Sequence, residues 1–418
     1  MIPKLDEYKE RWHITSDPAI KPGLEAMQNA LELVGNPQNN LPIIHLAGTN
    51  GKGSTSSFIQ HIAKSHGLKT ATFMSPCIED VHDQIQLNEK PIEPQEMDAI
   101  FKIMSNAGLD GKLTDFELLT VAAFIAFNRF CPDVAIIECG MGGRFDCTNV
   151  VTPLVSLVPS ISLEHTNFLG NTIAQIAYHK AGIIKKERPI VIGELPNEAL
   201  IVFKQEAAKQ QAALYSFGKD FSIEAEGKYE KYLSKHQVFT HLQRSMPGSH
   251  QRSNMALAIT AFSLFANHQG IQIDNEYLQN GVHTAHLAGR FEKIASNLFI
   301  DGAHNPASAK SLVETIKEEF PVQKIHFVMG MLKDKDVEGV LRLLEAVGTS
   351  FTFVEVDNDR AMSAKSIYDL SHSPDKRIYK GDIVQIINEK LDVSSICVVT
   401  GSLYLLAQWR KTLLTRFK

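Results

Sequence analysis

The stretch HLAGTNGKGST, residues 45–55, places three glycines, one lysine and several hydroxyl side chains where an apolar run stops and a helical pattern starts. Gly48, Gly51 and Gly53 let the backbone turn tightly, so that successive N–H groups and a helix N-terminus face an anion, while Lys52 adds a mobile positive charge. Such a loop, completed by Thr49 and Asn50, holds the phosphates of a nucleotide. Gly53 follows the lysine where a hydroxyl residue is usual, so that hydroxyl falls to Ser54 or Thr55. A triphosphate is handled with a divalent cation, and Mg2+ takes carboxylate, water and phosphate oxygens. Glu138, closing the run DVAIIE, is the first carboxylate expected to serve it, because open α/β sheets gather ligands at the carboxyl ends of their strands. The GMGGRFD segment after it sets Arg144 and Asp146 in a glycine-rich turn.

These groups need a scaffold, and its rhythm is legible. Apolar runs ending in glycine recur at PIIHLAG (42–48), DVAIIECG (133–140), NLFIDG (297–302), KIHFVMG (324–330) and SSICVVTG (394–401), with helical patterns between them. That alternation predicts an α/β fold with largely parallel, buried strands. Thr114 and Glu117 form a capping box ahead of an apolar stripe through Leu118, Val121, Ala122, Phe124 and Ile125. Between residues 215 and 250 the pattern turns polar, and FSIEAE and HQVFTHL suggest a hairpin decorating the main sheet. HQRSNMALAITAFSLFA then reads as an amphipathic helix, and a domain boundary is expected within residues 286–296.

A formal charge of −5 leaves no basic surplus for a nucleic-acid backbone, so nucleic acid is not expected as a partner. The five cysteines are odd in number and contain no Cys-x-x-Cys pair, which excludes a disulfide framework or thiolate zinc site as the organising feature. MIPKLDEYKERW lacks the apolar region of a signal peptide, and no run has the length of a spanning helix. A cytoplasmic protein with no membrane partner is expected. His45 and His61 read as structural histidines.

The motifs together resemble the folylpolyglutamate synthase and dihydrofolate synthase family, within the Mur-ligase-like ATP-dependent amide ligases. The likeness runs through GTNGKGST, TDFELLT (114–120), ECGMGGRFDCTN (138–149), HTNFLGNT (165–172), HKAGIIK (179–185), GSHQRSN (248–254), AGRFE (288–292), DGAHNP (301–306), GMLKDKD (330–336) and TGSLYL (400–405). It implies a P-loop nucleotide-binding parallel-sheet domain over residues 1–288, followed by a smaller Rossmann-like doubly wound glutamate-ligase domain over 289–418. It also implies that ATP phosphorylates a substrate carboxylate and the amine of L-glutamate displaces phosphate, with dihydropteroate or a reduced folate as the acid. By resemblance, Lys52 holds the β- and γ-phosphates. Ser75, Glu138, His165 and a carbamylated Lys180 are the metal ligands of a site with room for two Mg2+, and a monovalent cation is left open. Gln251 and Asn254 are placed near the nucleotide base. Arg290, Asp301 and His304 complete the site from the second domain, where closure excludes water. A monomer is implied.

The chain departs from the family pattern at several positions. Cys77 stands for a histidine and Gln84 for an arginine in SPCIEDVHDQI, a loop that the resemblance sets beside the pterin. Glu164 replaces an aspartate, His179 a glutamate and Cys147 an alanine. Two other readings compete: a Mur-type amide ligase acting on a cell-wall precursor or another carboxylate, and a non-catalytic nucleotide-binding switch. A GTPase-like switch would carry Asn-Lys-x-Asp, and no Asn-Lys dipeptide exists in the chain.

Overall fold

Short apolar runs that are buried at every position form the centre of the larger sheet. The computed structural model describes residues 2–18, 23–390 and 394–417. The chain divides into two units, the first comprising Met1–Ser245 with Arg252–His286. Its sheet contains β1 (Ile43–Leu46), β2 (Thr70–Phe73), β3 (Ile85–Leu87), β4 (Lys90–Pro91), β5 (Val134–Glu138), β6 (Val155–Val158), β7 (Ile190–Ile192) and β8 (Leu214–Ser216), in the order β4-β3-β2-β5-β1-β6-β7-β8. Neighbours from β2 to β8 are parallel, and β3 and β4 extend the β2 edge antiparallel. Every residue of β1, β2, β5, β6 and β7 is buried, as parallel strands covered by helices require. The Thr114–Glu117 capping box starts the helix Asp115–Phe130, and a second box, Thr172 with Gln175, starts the helix Ile173–Ala181.

The polar stretch after residue 215 corrects the expected hairpin. Beyond β8 it folds as a separate three-stranded antiparallel sheet of β9 (Phe221–Glu226), β10 (Tyr229–Ser234) and β11 (Val238–Leu242), ordered β11-β10-β9. The middle strand is disguised in the sequence because one of its buried positions is Glu230, which pairs with Arg244 and Arg252 at 3.1 and 2.6 Å. Tyr232, the other buried position, has its hydroxyl 2.9 Å from that of Thr260 on the helix Ser249–Gln269.

The second unit is Leu287–Lys418 with Met246–Gln251. Its strands are β12 (Glu292–Ala295), β13 (Leu298–Ile300), β14 (Lys324–Met329), β15 (Ser350–Phe353), β16 (Lys376–Ile378) and β17 (Ser395–Thr400), ordered β12-β13-β17-β14-β15-β16. All neighbours are parallel except β12 with β13. The expected division at 288/289 treats the chain as two continuous stretches, whereas Met246–Gln251 packs with the later one. There Gly248 has φ +97, and a Cβ on it would stand 2.3 Å from Thr315 Oγ1. Among the described residues no helix is long and apolar enough to cross a membrane.

Candidate active site

Three loops leave neighbouring strands at one edge of the larger sheet. The register sets Leu46 of β1 beside Glu138 of β5, and Ile137 of β5 beside Phe73 of β2. The chain after β1 passes through Gly48 and Gly51 into the helix Lys52–Ser65, whose first turn buries Ser54 and Thr55. Gly51 has φ +87, and a Cβ there would lie 2.6 Å from Asn254 Oδ1, so Asn254 sits directly against the loop.

The flank of this loop toward β6 is closed by residues that sequence reasoning missed. Thr49 N–H donates to Ser160 O at 2.9 Å, Asn50 N–H donates to Ser160 Oγ at 3.0 Å, and the Ser160 hydroxyl donates to Asn50 O at 2.9 Å. Ser162 N–H donates to Thr49 Oγ1 at 3.1 Å. The N–H groups of Thr49 and Asn50 therefore do not face an anion, contrary to expectation. Gly51 is the N-cap of the helix Lys52–Ser65, and no side-chain hydrogen bond caps it. The only sequence signal for Ser160 is a Pro-Ser step after the apolar run of β6.

Two lysines converge on this loop. Lys52 Nζ donates to Gly48 O at 3.0 Å and stands 3.6 Å from the buried carboxylate of Glu138. Lys180, on the inner side of the helix Ile173–Ala181, donates to the same Gly48 oxygen at 2.8 Å. Burial, and then the charge of Lys52, lower the Lys180 pKa to about 7. Asp146 lies deep in the next turn and accepts from Met141 N–H at 2.8 Å and Thr148 N–H at 3.0 Å, while burial pushes its carboxyl up. His45 sits 2.9 Å from Thr148 Oγ1 and is held neutral by burial, with a pKa of about 3. Arg144 points elsewhere: it pairs with Glu206 at 2.8 Å and lies over the Tyr178 ring.

The remaining residues expected around the metal are more dispersed in character. Glu138 is a buried carboxylate, whereas His165 is exposed, has φ +51 ahead of the short helix Thr166–Leu169, and stands 4.0 Å from Glu164. Ser75 is partly buried in the loop after β2. Among the described residues no three His, Cys, Asp or Glu side chains converge on one point. The departures at Cys77 and Gln84 are linked: Gln84 hydrogen-bonds Cys77, whose thiol burial pushes up to about 11. His179 packs edge-on against Phe145 and Tyr178.

In the second unit, Asp301 organises the turn that carries Arg290 and His304. Its carboxylate accepts from Phe291 N–H at 2.8 Å and Ala303 N–H at 2.9 Å. Burial pushes this carboxyl up, opposed by the positive charge of Arg290. A Cβ on Gly302 would lie 2.7 Å from Arg290 Nη1, and His304 Nδ1 is 2.8 Å from Gly302 O. Asn305 then caps the helix Pro306–Glu319. Gln251 and Asn254, three positions apart on one helix and both buried, divide between the units, Gln251 with the second and Asn254 with the first.

Comparison with known proteins agrees along the whole length. The Mur ligase middle domain matches residues 46–262, and the Mur ligase glutamate ligase domain matches residues 289–403. The dihydrofolate synthase/folylpolyglutamate synthase of Bacillus subtilis is 36% identical over 410 residues, covering 94% of this chain and 95% of that protein. The folylpolyglutamate synthase of Lacticaseibacillus casei is 32% identical over 399 residues, covering 92% of each. Among solved structures, Mycobacterium tuberculosis folylpolyglutamate synthase complexed with ADP and AMPPCP superposes with a TM-score of 0.87 at 28% identity, covering 94% of this chain and 95% of that one. Escherichia coli FolC in complex with DHPP and ADP superposes with a TM-score of 0.90 at 25% identity, covering 99% and 98%.

Proposed function

Because the chain belongs to the folylpolyglutamate synthase and dihydrofolate synthase family of Mur-type ligases, we propose that Lys52, Glu138 and Lys180 form its phosphoryl-transfer centre, with dihydropteroate or a reduced folate as the acid. The enzyme is an ATP-dependent ligase that joins L-glutamate to a pteroyl or folyl carboxylate, releasing ADP and phosphate. The cell-wall ligase and switch readings give way to it. The observation that carries the assignment of the centre is the Lys52 ammonium, 3.6 Å from the buried Glu138 carboxylate at the mouth of the glycine loop: a cation for the phosphates, beside an anion for their counter-ion.

A carboxylate is inert toward amines until one of its oxygens becomes a good leaving group. The acid's oxygen attacks the γ-phosphorus, the bond to the β-phosphate oxygen breaks, and ADP departs. The glutamate amine then attacks the acyl carbon, loses a proton, and inorganic phosphate leaves with one oxygen of the original acid. Lys52, moving from the Gly48 carbonyl to the phosphates, gains a charged acceptor and stabilises the transferring group. Gly51 to Thr55 form the cradle, with Gly48, Thr49 and Asn50 shaping the turn ahead of it; Asn254 is read as a nucleotide-base contact, and Gln251, Arg290, Asp301 and His304 as residues of the second unit whose substitution slows the reaction. Arg290 is a cation suited to neutralising phosphoryl charge, and the reaction requires that water be kept from the acyl phosphate.

The residues fit Mg2+. Glu138 offers a buried hard oxygen donor beside the loop, and since no three acidic, histidine or cysteine side chains converge among the described residues, phosphate and water oxygens would supply the other ligands. Bound there, the ion neutralises phosphate charge. Ser75, His165 and Lys180 would hold it or a second ion. For that role Lys180 must change sign, and a pKa of about 7 leaves neutral amine at physiological pH, able to add CO2, lose a proton and become an anionic carbamate. A cytoplasmic monomer is part of this reading, and a monovalent cation requirement is tested by ion replacement in the same assay. The assay mixes protein, ATP, Mg2+ and L-glutamate with dihydropteroate or a reduced folate and follows ADP release. Stimulation by neither acid overturns the substrate assignment, and failure of labelled carboxyl oxygen to reach the released phosphate overturns the chemistry.

A further inference from the structure

The phosphate loop has different neighbours on its two sides. Ser160 and Ser162 fill the side toward β6, whereas on the other side come Glu138 at the end of β5 and then the loop that leaves β2. On the function proposed above, the acid approaches the γ-phosphate along the β5 side, since Ser160 and Ser162 occupy the other. The β2 loop therefore matters for its approach, yet residues 75–80 contain no strand or helix to hold them.

Asp83 accepts from the Ile78 and Glu79 N–H groups of this loop, and its Asp80 end is held from outside, by Tyr8 on the helix Leu5–Arg11 and by Lys4 just before it. The Tyr8 hydroxyl lies 2.6 Å from His82 Nε2, His82 Nδ1 lies 2.6 Å from Asp80 Oδ1, and Asp80 Oδ2 lies 2.5 Å from Lys4 Nζ. Asp80 also accepts from His82 N–H at 3.0 Å, and Val81 N–H donates to Pro3 O at 3.1 Å. The His82 ring thus bridges Asp80 and Tyr8 through its two nitrogens. Burial works against the Asp80 charge, but the hydrogen bonds from Lys4 and His82 outweigh it and hold the carboxyl below its usual range. Tyr8 and His82 are both buried, and the Tyr8 ring packs on Phe101. Buried polar groups linked in series hold one geometry, because breaking a link leaves a desolvated partner behind.

We propose that Lys4, Asp80, His82 and Tyr8 form a positioning network that fixes the Asp80 end of the Ser75–Asp80 loop, which leaves β2 on the β5 side of the phosphate site, the side along which the acid substrate approaches. The identity of that acid rests on the function proposed above; the tether does not.

Tyr8→Phe removes one hydroxyl while filling the same space. The expected result is a KM for the acid raised roughly three- to tenfold, the scale of one lost buried hydrogen bond. KM for ATP and kcat at saturating acid stay unchanged, the melting temperature falls by no more than a few degrees, as the loss of one buried hydrogen bond implies, and amide hydrogen exchange across residues 77–80 accelerates. Asp80→Asn, which keeps an acceptor for His82 but loses the charge facing Lys4, shows the same split and serves if Tyr8→Phe does not fold. Unchanged exchange overturns the tether. A parallel rise in both KM values, or kcat and melting temperature falling together, overturns the positioning role in favour of a purely structural one. If the native enzyme turns over neither acid, it is the proposed function that fails, and the exchange measurement alone decides this inference.

Discussion

Lys52 and Lys180 donate to one acceptor, the carbonyl oxygen of Gly48, at 3.0 and 2.8 Å. Two ammonium groups on one oxygen repel each other, and Lys180, the more deeply buried of the pair, yields its proton more readily. The phosphate loop thus sets Lys52 beside a second lysine whose charge burial makes adjustable.

That coupling has a measurable sign. Unfolded, Lys180 keeps its proton up to about pH 10.4, whereas in the fold it releases it near 7. Between those values the unfolded chain binds more protons, so the contribution of this residue to stability rises with pH across the window, and below it the cost of burying the charge is felt in full. Lys180→Met should therefore raise the urea midpoint most at about pH 6, with the gain shrinking by about pH 9.5. A gain that grows with pH would contradict the assignment.

Lys52→Ala should lower kcat for ADP release on the order of 10²-fold or more, the effect of deleting a charge-stabilising group at a phosphoryl centre. Glu138→Gln keeps the shape of the strand end but removes the anion. It should shift the Mg2+ concentration for half-maximal rate upward, and a metal titration of both variants separates the two roles.

Ser160→Ala tests the closed flank. It frees Asn50 N–H and O from their partner without touching the glycine loop itself. KM for ATP should rise roughly three- to tenfold for these lost hydrogen bonds, with KM for the acid unaffected.

In the second unit, Asp301→Asn removes the negative charge and one of the two oxygens that accept from Phe291 and Ala303 N–H, and Arg290→Ala loses the cation. Both should retain nucleotide binding, read by titration with a fluorescent ATP analogue, while turnover falls on the order of 10²-fold. Normal turnover in Arg290→Ala would remove that residue from the reaction.

Much of this molecule is legible locally. Runs such as PIIHLAG and DVAIIECG became β1 and β5 because a strand buried on both faces has no polar alternation to confuse it, and glycine marks where it stops. The Thr114 capping box and the glycine loop are equally local, since their contacts span only a few residues. The strand β10 was hidden by Glu230, whose neutralising arginines lie 14 and 22 positions away.

The amino-acid sequence by itself determined the strand cores, the helix starts and the phosphate loop, because each depends on neighbours within one or two turns of chain. Only the tertiary structure decided that Ser160 would grip Asn50 across 110 residues, that Lys180 would reach Gly48 across 132, and that Tyr8 would tie down His82 across 74. Those pairings follow from which strands lie side by side. Strand order is set by the packing of crossover helices on both faces of the sheet, a property of the assembled core and not of any local pattern.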